Sequence, residues 1–254
     1  MGHGGAGSTA HDGFGPRRAR VSLVAYARTT GALYLLIIAI GLWSELLVRS
    51  ALVVRGDAGA TAANIASSLG LFRLGFAGDV VVFLADVAVA VLLYVLLRRV
   101  SDTLSLAAAA FRLVGTAIYG ANLLNHLAAV LLQGGAGYLQ SLEPGELNAL
   151  TMFFLETHRH GYDLGLVFFG LHCLVLGYLL FRSFLFPKAL GVLMVLSGVG
   201  YLVGSFTLFL MPRFEAAVAP VYIAPLVGEF AFTLWLLVKG VRRPRPATDG
   251  LTAA

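Results

Sequence analysis

The chain has 254 residues, of which 59% are hydrophobic and 12% are charged. Soluble domains carry roughly 25% charged residues, so this chain lacks the polar surface of a water-soluble globule and is expected in a lipid bilayer. The net charge of +5 does not indicate nucleic-acid binding, because the basic residues cluster at the ends of apolar segments. The single cysteine, Cys173, excludes an intrachain disulfide and a multi-cysteine metal site.

The chain begins with a glycine-rich stretch that contains no apolar run. We interpret residues 1–24 as a disordered cytoplasmic tail. A cleavable signal peptide is not indicated, since no apolar core closely follows the basic residues and no small-residue cleavage site comes after it. Residues 241–254 form a second tail that is basic and rich in proline. The intervening residues 25–240 are predicted to form one integral membrane domain.

Six segments between the tails are long and apolar enough to cross a bilayer as helices. Their approximate ranges are 29–48, 71–97, 104–132, 162–181, 189–211 and 221–239. The pattern predicts an all-α, polytopic bundle of about six transmembrane helices.

Two shorter helices are predicted on the outer face. The first, at 58–69, follows Asp57, a residue type that caps helix N-termini, and is too polar to span. The second, at 146–157, follows Pro144, and its twelve residues are too few to cross a membrane. Gly161 is expected to separate this second helix from the fourth span.

The basic residues predict the orientation, because cytoplasmic loops of membrane proteins are enriched in Lys and Arg. If both termini are cytoplasmic, the inner side holds Arg17, Arg18, Arg20, Arg28, Arg98, Arg99, Arg182, Lys188, Lys239, Arg242, Arg243 and Arg245. The outer side then holds only Arg49, Arg55, Arg159 and Arg213. The longer loops at 49–70 and 133–160 would therefore face outward.

Several ionisable residues fall inside the predicted spans, where each costs at least about 2.5–3.5 kcal/mol unless it is paired or hydrated. The outer half would contain Glu45, Arg73, Asp79, His126, Asp163 and Glu229, with His158 and His160 at the outer surface. This distribution predicts a polar cavity that opens outward. Asp86 and Arg112 lie deeper and could form a buried ion pair between the second and third spans.

The histidines and carboxylates also allow a divalent-metal hypothesis, because zinc, iron and manganese bind such ligands. His158 and His160 are two residues apart, so on one helix they point about 200° apart and cannot share an ion. The best set is His126, Asp163 and either His158 or His160, with Glu229 or Asp79 as a further ligand. No zinc signature such as H-E-x-x-H is present.

Structural roles explain the same residues equally well. Glu45, Arg73 and Asp79 could form ion pairs that join helices, and Asn122 and Asn125 could form interhelical hydrogen bonds. We interpret His172 as a buried histidine hydrogen-bonded to a neighbouring helix, with haem or quinone binding as the alternative. Gly200 and Gly204 form a G-x-x-x-G motif typical of close helix packing.

Five segments together resemble one family. They are G-A-L-Y-L-L-I-I-A-I-G at 31–41, G-D-A-G-A-T-A-A-N-I at 56–65, L-F-R-L-G-F at 71–76, H-G-Y-D-L-G-L-V-F-F-G-L-H-C-L-V-L-G-Y at 160–178 and F-P-K-A-L-G-V-L at 186–193. The chain resembles, over about residues 25–240, the bacterial membrane-protein family called domain of unknown function 4386. The resemblance implies a multi-pass protein of the bacterial cytoplasmic membrane and brings no established activity, cofactor or catalytic residue.

Three functions fit these features. The favoured one is a binding protein whose outward-facing polar cavity holds a small molecule, a lipid headgroup or a partner. The second is a membrane enzyme, in which a metal held by Asp163 and the histidines could act. The third is a small transporter with Asp79, Asp86 and Arg112 as a relay. It is the least favoured, since Pro220 and Pro225 are the only sign of the broken helices common in transport sites.

Overall fold

The computed structural model describes residues 23–242. The predicted tails are residues 1–24 and 241–254. They lie outside the described residues, apart from residues 23–24 and 241–242. Within the described part the chain is helical and has no strand. Its main helices are α1 (Leu23–Leu52), α2 (Ala58–Ser67), α3 (Leu69–Leu97), α4 (Asp102–Leu132), α5 (Pro144–Arg182), α6 (Lys188–Leu210) and α7 (Ile223–Val238).

All these helices except α2 are long and apolar enough to span a membrane. The span that contains α7 begins at Pro212 and includes the short turns that precede the helix. The predicted all-α polytopic bundle of six spans is therefore confirmed. α2 corresponds to the short helix predicted at 58–69, and the Asp57 side chain accepts a hydrogen bond from the Ala60 N–H (2.8 Å) at its N-terminus.

The spans form a closed ring. Each packs against the next span in the chain, and α1 closes the ring by packing against α7. Polar side chains such as Arg112 and Asp86 are buried, whereas Leu84 and Leu124 are more than 60% exposed. The ring is thus apolar on its outside, and its interior combines an apolar core with buried polar side chains, as expected for a bundle surrounded by lipid.

The predicted break at Gly161 does not occur. α5 is continuous over 39 residues, about 58 Å, and includes both the predicted second outer helix and the fourth span. It begins with Pro144 and with reciprocal capping between Glu143 and Glu146. Gly161 lies against Asn122 of α4, and a Cβ there would collide with the Asn122 side chain. The glycine therefore permits close packing.

Close glycine contacts also join α5 to α6. A Cβ at Gly177 would lie 2.7 Å from the carbonyl oxygen of Gly191, and Gly170 meets Gly198 in the same way. Backbone therefore packs on backbone across this interface, an arrangement that larger residues would prevent.

Candidate functional site

The polar residues inside the ring lie at seven-residue intervals. Asp79 and Asp86 are seven apart on α3, and His126 is fourteen residues from Arg112 on α4. Seven residues are about two helical turns, so such residues share one face of a helix. Two polar layers result. The layer farther from the termini, called the outer layer, contains Asp79, His126 and His158, and the inner layer contains Asp86, Arg112 and His172. The two layers are separated by about 10 Å along α3 and by about 21 Å along α4 and α5.

The outer layer brings together three potential metal ligands from three helices. Asp79 of α3, His126 of α4 and His158 of α5 are all buried, and one ligand atom from each lies within 4.8 Å of the other two. The two imidazole rings are 5.7 Å apart and perpendicular.

Backbone carbonyl groups orient both histidines of this layer. His126 Nε2 lies 3.1 Å from the carbonyl oxygen of Phe72, and its ring stacks on the Phe72 ring at 4.1 Å. Because a carbonyl oxygen only accepts hydrogen bonds, Nε2 must carry the proton. His126 Nδ1 is buried and has no hydrogen-bond partner among residues 23–242. His158 Nδ1 lies 3.3 Å from the carbonyl oxygen of Asn122 and 3.2 Å from the side-chain nitrogen of the same residue.

A charged side chain from α1 completes the outer layer. Arg49 donates to Asp79 at 2.6 Å, to Glu45 at 2.7 Å and to Ser44 at 3.0 Å. The backbone from Ser44 to Arg49 is π-helical, a wider turn that often accompanies functional sites.

The inner layer is built around Arg112, which is fully buried. Its guanidinium group donates to Asp86 (2.5 Å) and to the Tyr34 hydroxyl (2.7 Å), and it lies between the rings of Tyr34 and Phe169 at 4.6 and 4.9 Å from their centroids. The Thr116 hydroxyl also donates to Asp86. The charge pair is therefore desolvated but extensively hydrogen-bonded.

His172 has both ring nitrogens engaged in this inner layer. Nδ1 lies 2.8 Å from the carbonyl oxygen of Ala108, and Nε2 lies 3.1 Å from a guanidinium nitrogen of Arg112. Nδ1 thus donates and Nε2 accepts, which leaves no lone pair for a haem iron. His172 therefore joins α5 to the backbone and to Arg112 of α4.

A cavity of about 210 Å³ lies inside the ring, with room for about seven water molecules. Stacked rings of Phe83, Tyr119 and Tyr162 form one side of it. The charged groups that line it are Asp86, Arg112 and Glu229. The Tyr201 hydroxyl donates to Oε1 of Glu229, and Oε2 has no partner among the described residues.

Other candidates from the sequence lie away from these layers. Asp163 accepts from Ser205 (3.0 Å) and Tyr222 (3.3 Å), on a different face of α5 from His158. His160 is exposed, and its Nδ1 lies 2.8 Å from the Glu156 carbonyl oxygen. The predicted set of His126 with Asp163 is therefore not brought together, and Asp79 lies close to His126 and His158 instead.

The residues expected in ion pairs differ in their placement. Asp86 pairs with Arg112, and Glu45 is an exposed partner of Arg49. Arg73 is exposed beside the turn that contains Gly134 and has no ion pair within residues 23–242.

Sequence reasoning missed two contributors from α1. Arg49 was expected in an external segment, and Tyr34 carried no distinguishing pattern. The seven-residue spacing that links Asp79 to Asp86 does not extend to these two residues, which are fifteen apart in the chain.

Comparison with known proteins identifies the family. The family described as "Domain of unknown function (DUF4386)" matches residues 29–240, and the chain belongs to it. The chain is also similar to an uncharacterized protein from Archaeoglobus fulgidus, with 31% identity over 163 residues that cover 64% of this chain and 82% of the relative. No solved structure is significantly similar to the chain.

Proposed function

We propose that this DUF4386 member is a membrane-embedded binding protein for a small amphipathic amine. The observation that carries the proposal is the 210 Å³ cavity inside the ring of spans, lined by aromatic and aliphatic side chains and a few charged ones. Mostly apolar cavities with a few fixed polar groups are typical of small-molecule sites.

The charges of the cavity indicate the chemistry of the ligand. Asp86 and Arg112 neutralise each other, so Glu229 is the unbalanced charged group. Its Oε2 lacks a partner among residues 23–242 and can accept a hydrogen bond from an ammonium group. The ring of Tyr201, whose hydroxyl donates to Glu229, lines the same space and would stabilise a cation through its face.

The exposed residues of the lining suggest an entrance from the bilayer. Leu42 of α1 and Leu226 of α7 line the cavity and are 44% and 55% exposed. A ligand with an apolar body could therefore enter between these helices, with the amine leading toward Glu229.

The test is a binding measurement on purified protein in lipid nanodiscs. We expect alkyl- and arylalkylamines to raise the thermal stability in a saturable manner, and alcohols of the same shape to have little effect. Glu229→Gln should abolish the response to amines. Asp163→Asn, which removes a membrane carboxylate outside the cavity, should retain it. Amine responses that are equal in the native protein and in Glu229→Gln would contradict the proposal.

We also propose an orientation of the protein in the membrane and the limits of its membrane domain. Residues 25–240 would form the membrane domain in a bacterial cytoplasmic membrane, with the tails 1–24 and 241–254 in the cytoplasm. In support, the helix ends near the termini carry Arg28, Arg98, Arg99, Arg182, Lys188, Lys239 and Arg242, whereas Arg49, Arg55, Arg73, Arg159 and Arg213 lie toward the opposite end. An excess of Lys and Arg favours the cytoplasmic side. A green fluorescent protein fused after residue 242 should fluoresce, and an active alkaline phosphatase fusion at that position would contradict the orientation.

A further inference from the structure

We infer that the outer layer is a binding site for one divalent transition-metal ion, of which zinc is the representative. Asp79, His126 and His158 would be the protein ligands. This site is separate from the proposed amine cavity, since none of the three residues lines that cavity.

The unpartnered nitrogen of His126 is the first support. Its Nε2 is committed to the Phe72 carbonyl oxygen, so Nδ1 carries a lone pair in a fully buried ring. That atom finds no donor among residues 23–242, which is unfavourable for a buried acceptor. A metal ion would supply the missing partner.

The hydrogen bonds behind the histidines are the second support. Histidines that bind metals commonly donate their other ring N–H to a backbone carbonyl, which fixes the tautomer and the ring orientation. His126 does so to Phe72. His158 Nδ1 lies 3.3 Å from the Asn122 carbonyl oxygen and 3.2 Å from the Asn122 side-chain nitrogen, and the tautomer that donates to the carbonyl oxygen would leave Nε2 for the ion.

The spacing of the ligand atoms is compatible with an ion. Because the three ligand atoms lie within 4.8 Å of one another, an ion placed between them could lie within about 2.8 Å of each. Side-chain movements of about 0.7 Å would then give the 2.0–2.2 Å bonds of zinc. Three ligands from three rigid helices would leave a further coordination position for water or another ligand.

The local charge also favours a cation. Glu45 and Asp79 carry two negative charges, and Arg49 compensates one of them. Arg49 contacts Oδ2 of Asp79, so Oδ1 remains available to an ion. Two imidazoles and one carboxylate form a ligand set that suits zinc and iron(II).

The test uses untagged protein in nanodiscs, stripped with a chelator and titrated with Co²⁺, whose visible absorption reports coordination. We expect one Co²⁺ per chain, displaced by Zn²⁺. Asp79→Asn and His126→Gln should weaken binding at least tenfold. His160→Gln, which removes an exposed histidine from the same helix as His158, should leave the affinity unchanged. Failure of the native protein to bind saturably, or equal weakening by His160→Gln, would overturn the inference.

A second measurement does not depend on the folding of variants. X-ray absorption at the zinc edge of the native, zinc-loaded protein should show only nitrogen and oxygen ligands, with the scattering pattern of two imidazoles. A sulfur ligand, or a spectrum without imidazole, would overturn the assignment. Amine binding through Glu229 is expected to survive Asp79→Asn, so failure of either proposal can be recognised separately.

Discussion

Replacing Asp86 by asparagine should destabilise the protein strongly. The variant leaves the Arg112 guanidinium, which is 0% exposed, without its counterion and also removes a charged acceptor from Thr116. Breaking a buried ion pair from one side typically costs about 3–5 kcal/mol. At roughly 2–4 °C per kcal/mol for a chain of this size, the expected decrease in Tm is about 6–20 °C.

Thermal unfolding of nanodisc-embedded protein, followed by tryptophan fluorescence, measures this decrease. Removing the second charge as well, in Asp86→Asn with Arg112→Gln, should recover part of the loss, because no unpaired charge is then left. Asp163→Asn is the matched control, since that carboxylate has no ion pair within residues 23–242 and is hydrogen-bonded by two hydroxyl groups. A decrease of less than 2 °C for Asp86→Asn, or a double variant less stable than the single one, would refute the reasoning.

Three further outcomes follow from the packing. Gly177→Ala should lower the free energy of unfolding by about 1–3 kcal/mol, because the added Cβ meets a backbone carbonyl that cannot move aside. Gly145→Ala should leave it unchanged, because the space around Gly145 is open, and chemical denaturation compares the two variants. Arg159→Gln should change stability by less than about 1 kcal/mol in the same assay, because its ion pairs are partly exposed. Cys173 is fully buried and should react with a maleimide only after denaturation, so rapid labelling of the folded protein would contradict its placement.

The number of spans could be predicted from the sequence because length and apolarity alone decide whether a helix can cross a bilayer. The prediction of a helix break at Gly161 was wrong because the low helix propensity of glycine was given too much weight. A glycine costs a helix interior only about 1 kcal/mol relative to alanine. Close packing against Asn122 and a continuous hydrogen-bonded backbone outweigh that cost in the apolar interior.

The candidate site was predicted only in part. The sequence identified Asp79, His126 and His158 as candidates and correctly separated His158 from His160 by helical rotation. It nevertheless favoured Asp163 as their partner. Asp163 is five residues from His158, which is about 140° around the helix, so the same rotation argument excludes it.

The contribution of Arg49 could not be predicted in the same way. The direction of the Arg49 side chain depends on the π-helical turn from Ser44 to Arg49. Such a turn shifts the side chains that follow it around the helix axis. Local sequence does not specify that turn, and the ion pair with Asp79 across the bundle is a tertiary contact.

Photo-crosslinking tests the central claim, that the intramembrane cavity binds an amine, most directly. The probe is an alkylamine with a diazirine on its chain, activated in nanodiscs and mapped by mass spectrometry. We expect adducts on cavity-lining residues such as Phe169, Leu226 and Tyr201, and their loss in Glu229→Gln. Adducts confined to lipid-facing residues such as Leu84, or labelling of the cavity that is unchanged in Glu229→Gln, would contradict the account.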